Sequence, residues 1–125
     1  MRLDPEMRLG ILEKIGVYSE RFSIPEPRVL LTTREVLEMP KEATAGRRTS
    51  AYKYYGVSYL RHNAVFINVR KIPDEKELEK TIVHELIHMR FQYLGHGRRF
   101  NRLVRRGLRG GGFAPYKRRT APAAI

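Results

Sequence analysis

Five consecutive residues, His84-Glu85-Leu86-Ile87-His88, hold the densest potential chemistry in the chain. On a helix, positions i and i+4 lie one above the other, so two imidazoles at this spacing can reach one metal ion. Glu85 stands about 100° round the helix from His84 by the 3.6-residue period. It sits beside such a metal without ligating it. There a carboxylate can act as general base on water and then return the proton to a leaving group. The competing reading is two helix-face histidines bonded to their neighbours. Chance produces the pattern in roughly one chain of this composition in a hundred, which favours the metal reading.

A catalytic zinc takes three protein ligands and keeps one position open. The metzincin spacing would need Gly at position 91 and His at position 94, but these are Phe91 and Leu94. The thermolysin-like pattern needs a downstream glutamate, and no acidic residue follows Glu85. His96, flanked by Gly95 and Gly97, is the one histidine beyond His88. A straight helix would carry it off the face of the other two. A turn permitted by glycine could fold it back as the third ligand. Its alternative role is a cation at the helix C-terminus. His62, beside basic residues, reads as a surface or phosphate-contacting group.

These residues need an element to hold them. Asp74, with Glu77 three residues later, is a capping signal for a helix starting after Pro73. Leu78, Ile82, Leu86, Met89 and Tyr93 then form one apolar stripe, with both histidines off it and Gly95 as the stop. Ala64 to Val69 reads as the clearest strand, an apolar run fit for burial. Asp4-Pro5 opens an N-terminal helix over 5–21, with Leu9, Leu12, Ile15 and Phe22 as its core positions. Val29–Leu31 reads as a strand, Arg34–Glu38 as a short helix capped by Thr33, and 41–50 as a loop. Ala51–Leu60 reads as two strands or one bulged strand. A last helix spans about Arg98–Leu108, buried through Phe100, Leu103, Val104 and Leu108. The expected fold class is α+β, with a small mixed or antiparallel sheet, the HExxH helix and a further C-terminal helix. Residues 1–109 form the domain and residues 110–125 a basic, flexible tail.

The chain has 125 residues, enough for one domain, and no cysteine. Disulfides, a cysteine nucleophile and Cys-ligated zinc are excluded. No apolar run approaches the roughly 18 residues of a membrane span, so the expected setting is soluble and intracellular, with no membrane partner. The net charge is +12. Residues 43–73 carry 6 basic and no acidic side chains, and residues 98–125 carry 9 and none. Arg98, Arg99, Arg102, Arg105, Arg106 and Arg109 cannot all face a core, so a cationic helix face is forced. With Lys117, Arg118 and Arg119 they are the candidate nucleic-acid contacts. Tyr52, Tyr54, Tyr55 and Tyr59 alternate with basic groups and could stack on bases, although packing into the core is the plainer expectation.

His84, Glu85 and His88, followed by Gly95, His96, Gly97 and Phe100, resemble the motif pair of the SprT-like metalloproteases, the Spartan type. Ala45-Gly46-Arg47-Arg48 and a strand ending in Ile67-Asn68 precede the helix in a similar way. The resemblance covers roughly residues 43–108. It implies a minimal zincin-like protease domain, with zinc held by His84, His88 and His96 and Glu85 as catalyst. It further implies a protein substrate bound or crosslinked to DNA. The link between the second and third histidines is short, and the four-cysteine zinc ribbon found in many members is absent. By the general habit of zincins, the strand before the active helix (Phe66, Ile67 and Asn68) would pair with the substrate. The rival readings are a three-histidine zinc nucleic-acid hydrolase and a non-catalytic nucleic-acid-binding module. Glu85 argues against both.

Overall fold

The strand read from Ala64 onward is the centre of the sheet. In the computed structural model, which describes residues 1–44 and 51–115, β1 (Arg28–Leu30) pairs in parallel with β3 (Ala64–Ile67), and β2 (Gly56–Tyr59) pairs antiparallel on its other side. The order is β1-β3-β2, a small mixed sheet. All four residues of β3 are buried, because the sheet is covered on both faces. Val65, Ile67 and Val69 enter the main core. Ala64 and Phe66 face a second cluster with Val36, Met39, Val57 and Tyr59. Burial on alternate sides explains why β3 reads as a continuous apolar run.

This position overturns one expectation. Phe66 pairs on both sides, with Leu30 of β1 and Val57 of β2, and Ile67 pairs with Gly56. The Asn68 amide just beyond β3 donates to Tyr55 O at 2.8 Å, so this central strand does not present the open edge that substrate pairing needs. Among the described residues, β2 is the sheet's outer strand on the side nearest the histidine helix.

Among the described residues five α-helices accompany the sheet: α1 (Pro5–Arg21), α2 (Thr33–Leu37), α3 (Lys41–Thr44), α4 (Glu75–Arg90) and α5 (Arg98–Leu108). Asp4 caps α1 by accepting from the Met7 amide at 2.7 Å, and Thr32, not Thr33, caps α2. The core face of α1 is Ile11, Ile15 and Tyr18, continued by Phe22, while Leu9 and Leu12 are exposed. Ile15 and Phe22 are buried as the spacing predicts, while Ile11 and Tyr18 take the places expected of Leu9 and Leu12. Within 41–50 a single turn, α3, replaces the expected loop, and residues 45–50 lie outside the described residues. Ala51–Lys53 form a 3-10 turn, so only β2 is a strand in that stretch.

α4 is the central helix, packed against α1, α5 and β2. Asp74 caps it through the Glu77 amide at 2.9 Å. Leu78, Ile82, Leu86 and Met89 are buried as the spacing predicts. Tyr93 is not, because α4 ends at Arg90 with Phe91 as its cap, well before Gly95. α5 buries Phe100, Val104 and Gly107, while Leu108 is exposed. Gly107 is required by packing, since a Cβ there would lie 2.8 Å from Phe22 and 2.9 Å from Val83.

The chain does not leave the body at Gly110. Phe113 donates its amide to Arg21 O at 2.9 Å and accepts from Ser23 Oγ at 2.6 Å. Its ring packs on Phe22 and edge-on to Phe91. Residues 110–115 are therefore docked where a free tail was expected. Lys117, Arg118 and Arg119 lie outside the described residues. No helix among the described residues is long and apolar enough to cross a membrane.

Candidate metal centre

His84 and His88 project from one face of α4, half-buried, and His96 comes to them from the connection to α5. Nε2 of His88 lies 3.1 Å from Nε2 of His84 and 2.8 Å from Nε2 of His96. One ligand atom from each ring falls within 4.8 Å of the others, close enough for all three to hold one metal ion. Tetrahedral zinc with bonds of about 2.0–2.1 Å sets its ligand nitrogens about 3.3 Å apart, close to the two separations that His88 makes with His84 and His96.

The return of His96 does not depend on its glycines. Neither Gly95 nor Gly97 adopts a left-handed conformation, and a Cβ at either would meet nothing within 4 Å. The early end of α4 makes the reversal, with Leu94 donating to Phe91 O at 3.0 Å. Phe100, fully buried in the first turn of α5, lies beneath all three rings. Its centroid is 4.8 Å from that of His84, 4.3 Å from His88 and 5.1 Å from His96.

Burial holds the His84 pKa below the ordinary histidine value, helped by the nearby charges of His96 and Lys80. Burial and the other two histidines push His88 down to about 4. Rings kept neutral near pH 7 present lone pairs, as metal ligation requires.

Glu85 is almost fully buried and lies with the three histidines in a cleft of about 450 Å³, which Tyr54, Gly56, Val57, Ser58 and Leu60 also line. Ser58 Oγ lies 2.9 Å from Glu85 Oε1 and 3.0 Å from Glu85 O, so one hydroxyl can donate to the carboxylate or to the helix backbone. Gly56 makes this approach possible, since a Cβ there would sit 2.9 Å from Glu85 Cγ and 3.0 Å from Thr81 Cγ2. Sequence reasoning missed Ser58. The glycine interrupting an otherwise strand-like run was the available signal. Asn68 serves the site in another way than by holding substrate. Its side chain donates to Tyr54 O at 3.2 Å, and its amide to Tyr55 O at 2.8 Å, securing the segment that carries Tyr54 into the cleft.

The remaining candidates divide. Tyr59 is buried, while Tyr52, Tyr54 and Tyr55 are exposed, so only one of the four packs into the core. His62 is exposed in a 3-10 turn, outside the cluster. Arg98, Arg99, Arg102, Arg105, Arg106 and Arg109 are all exposed, as the helical spacing requires. Arg106 also secures the segment after α5. Its Nη2 donates to Gly112 O at 3.1 Å, and its guanidinium lies 5.1 Å from the Phe113 ring centre. Ala45-Gly46-Arg47-Arg48 fall outside the described residues. Compared with protein families, with curated proteins and with solved structures, the chain finds no match.

Proposed function

We propose that this chain is a zinc-dependent endopeptidase of the SprT-like kind, with a zincin-like fold, acting on proteins bound or crosslinked to DNA. The observation that carries the reading is the convergence of three imidazole nitrogens beside a buried glutamate in one cleft. His84, His88 and His96 would hold the zinc, which when bound supplies Lewis acidity toward the scissile carbonyl and toward water. Glu85 takes the proton from the attacking water and delivers it to the departing amine. Ser58 fixes the carboxylate for both transfers. β2, bordering the cleft, takes the substrate-pairing role expected of β3. An extended polypeptide added along it is held through main-chain bonds, which gives little sequence preference. The exposed arginines of α5, which begins directly after His96, supply contacts to DNA phosphates and bring attached protein to the cleft.

The test compares zinc-loaded wild type with Glu85→Gln on a DNA-bound protein, on the same protein free, and on RNA. The expected result is proteolysis by the wild type alone, strongest on the DNA-bound form, with zinc retained in the variant. RNA cleavage that survives Glu85→Gln would instead assign a nucleic-acid hydrolase. Zinc binding without any turnover would assign a binding module.

A further inference from the structure

Beside the metal cluster, between the end of α4 and the first turn of α5, lies a depression of about 240 Å³ lined by Phe91, Gln92, Tyr93, Leu94 and Arg99. It is smaller than the roughly 300 Å³ at which pockets begin to enclose drug-sized ligands. That size suits a single ring system inserted from a larger partner.

Its two aromatic residues differ. Phe91 is committed to the fold: the Arg90 guanidinium lies 4.8 Å from its ring centre, and Phe113 meets it edge-on at 5.1 Å. Tyr93 is fully exposed and makes no ring or cation–π contact among the described residues. Gln92 uses its Nε2 on Met89 O at 3.3 Å, so its side-chain oxygen faces no partner among the described residues. Arg99 completes the lining with a cation. An open aromatic face, an amide acceptor, an apolar contact from Leu94 and a guanidinium match a nucleobase and its phosphate. Charge selects the same partner. From Leu86 onward the sequence has no acidic residue, and the neighbouring arginines of α5 are exposed.

We propose that this depression stacks one unpaired nucleotide base on Tyr93, with Arg99 on the adjoining phosphate. The inference rests on the nucleic-acid partner proposed above and adds which form of it is read. Stacking is sequence-tolerant, because every base has a π-face. Tyr93 and His96 belong to the same short connection between α4 and α5, so a single-stranded stretch held there is carried by the segment that brings His96 to the cluster.

The chain has no tryptophan, so Tyr93→Trp in the full-length protein installs a single fluorescent reporter on an exposed site. Oligo(dT), oligo(U) and a blunt duplex are titrated at low salt. Quenching by the single strands and not by the duplex is expected, and quenching by only one of them supports the site and names its sugar. Tyr93→Leu should weaken single-strand binding about five-fold or more, leaving duplex affinity and the salt slope unchanged. Arg99→Gln should reduce the single-strand salt slope by about 0.7. Unaltered fluorescence while the strand binds, or unaltered affinity in Tyr93→Leu, would overturn the site and leave the partner reading standing. Failure of the wild type to bind any nucleic acid would remove that reading itself.

Discussion

The two sides of the histidine cluster are built differently. His84 and His88 stand on α4, a helix buried against α1, α5 and the sheet. Their spacing follows from helix geometry before any ligand arrives. His96 is exposed, and it arrives from a short irregular connection. Phe100 joins the sides, buried under all three rings while belonging to the helix that follows His96. One wall of the site is therefore fixed by the core. The other is fixed by a single wedge and, when present, by the ion the rings share.

The largest expected effect comes from removing the wedge. Phe100→Ala should lower unfolding free energy by about 3–5 kcal/mol, as for other fully buried aromatic truncations, measured by urea denaturation without metal. His96→Ala should change the metal-free value by less than about 0.5 kcal/mol, because an exposed side chain is lost. Equal destabilisation by the two would break the comparison. Zinc affinity sharpens it. Loss of an outer-shell partner commonly costs about 10–100-fold, so loss of a ligand should cost more than about 100-fold. Chelator competition should therefore give a large loss in both His88→Ala and His96→Ala. An unchanged affinity in His96→Ala would leave the ion on α4 alone.

The same contrast explains what could be read in advance. α4, α5, His84 and His88 follow from periodicity, capping and spacing, which are local properties, whereas His96 follows only from being the one histidine downstream of them. Asp74, the Leu78–Met89 stripe and the arginine spacing all fall where the sequence puts them. Tyr93 misleads because apolar spacing continues past the point where the helix stops, and nothing local marks Arg90 as its last residue. The role of β3 misleads for a different reason. An apolar run marks burial but does not tell a central strand from an edge, which depends on pairing with residues 28–30 and 56–59. Ser58 is marked in the sequence only indirectly, by the neighbouring Gly56, because its partner, Glu85, is 27 residues away.

That strand-to-helix contact bears on the fixed wall. Ser58→Ala removes a hydrogen bond to a charged group, a contribution of about 1.5–3 kcal/mol. Turnover on the DNA-bound protein should fall about 10–100-fold, with zinc content and KM little changed and recovery in Ser58→Thr. Gly56→Ala forces β2 away from Glu85 and Thr81 and should cost about 1–3 kcal/mol of stability. Equal effects of Ser58→Ala on kcat and on zinc retention would mean that the hydroxyl supports the fold rather than the carboxylate.

The smallest effect concerns how α4 is seated on α1. Lys14 Nζ lies 2.6 Å from Glu79 Oε2, and Tyr18 donates its hydroxyl to Glu79 Oε1. Burial alone would raise the Glu79 pKa. The hydrogen bonds from Lys14 and Tyr18, with the charges of Lys14 and Arg21, outweigh it and hold the carboxyl below its ordinary 4.5. A pKa lowered on folding stabilises the native state above the unfolded value, and that contribution disappears as pH falls through the folded one. Tyr18 has the opposite sign. Burial and Glu79 raise it from 10.0 to about 12, so its contribution is complete below pH 10 and is lost toward 12. Glu79→Gln should lower stability at neutral pH by no more than about 1 kcal/mol, because the pair is partly solvated. Urea denaturation across the acid range should then show a shallower loss than in the wild type. The cluster should respond only weakly, because α4 remains held by Leu78, Ile82 and Leu86 in the core. A large fall in zinc affinity in this variant would mean that the ion pair, and not the apolar stripe, fixes the wall on which His84 and His88 stand.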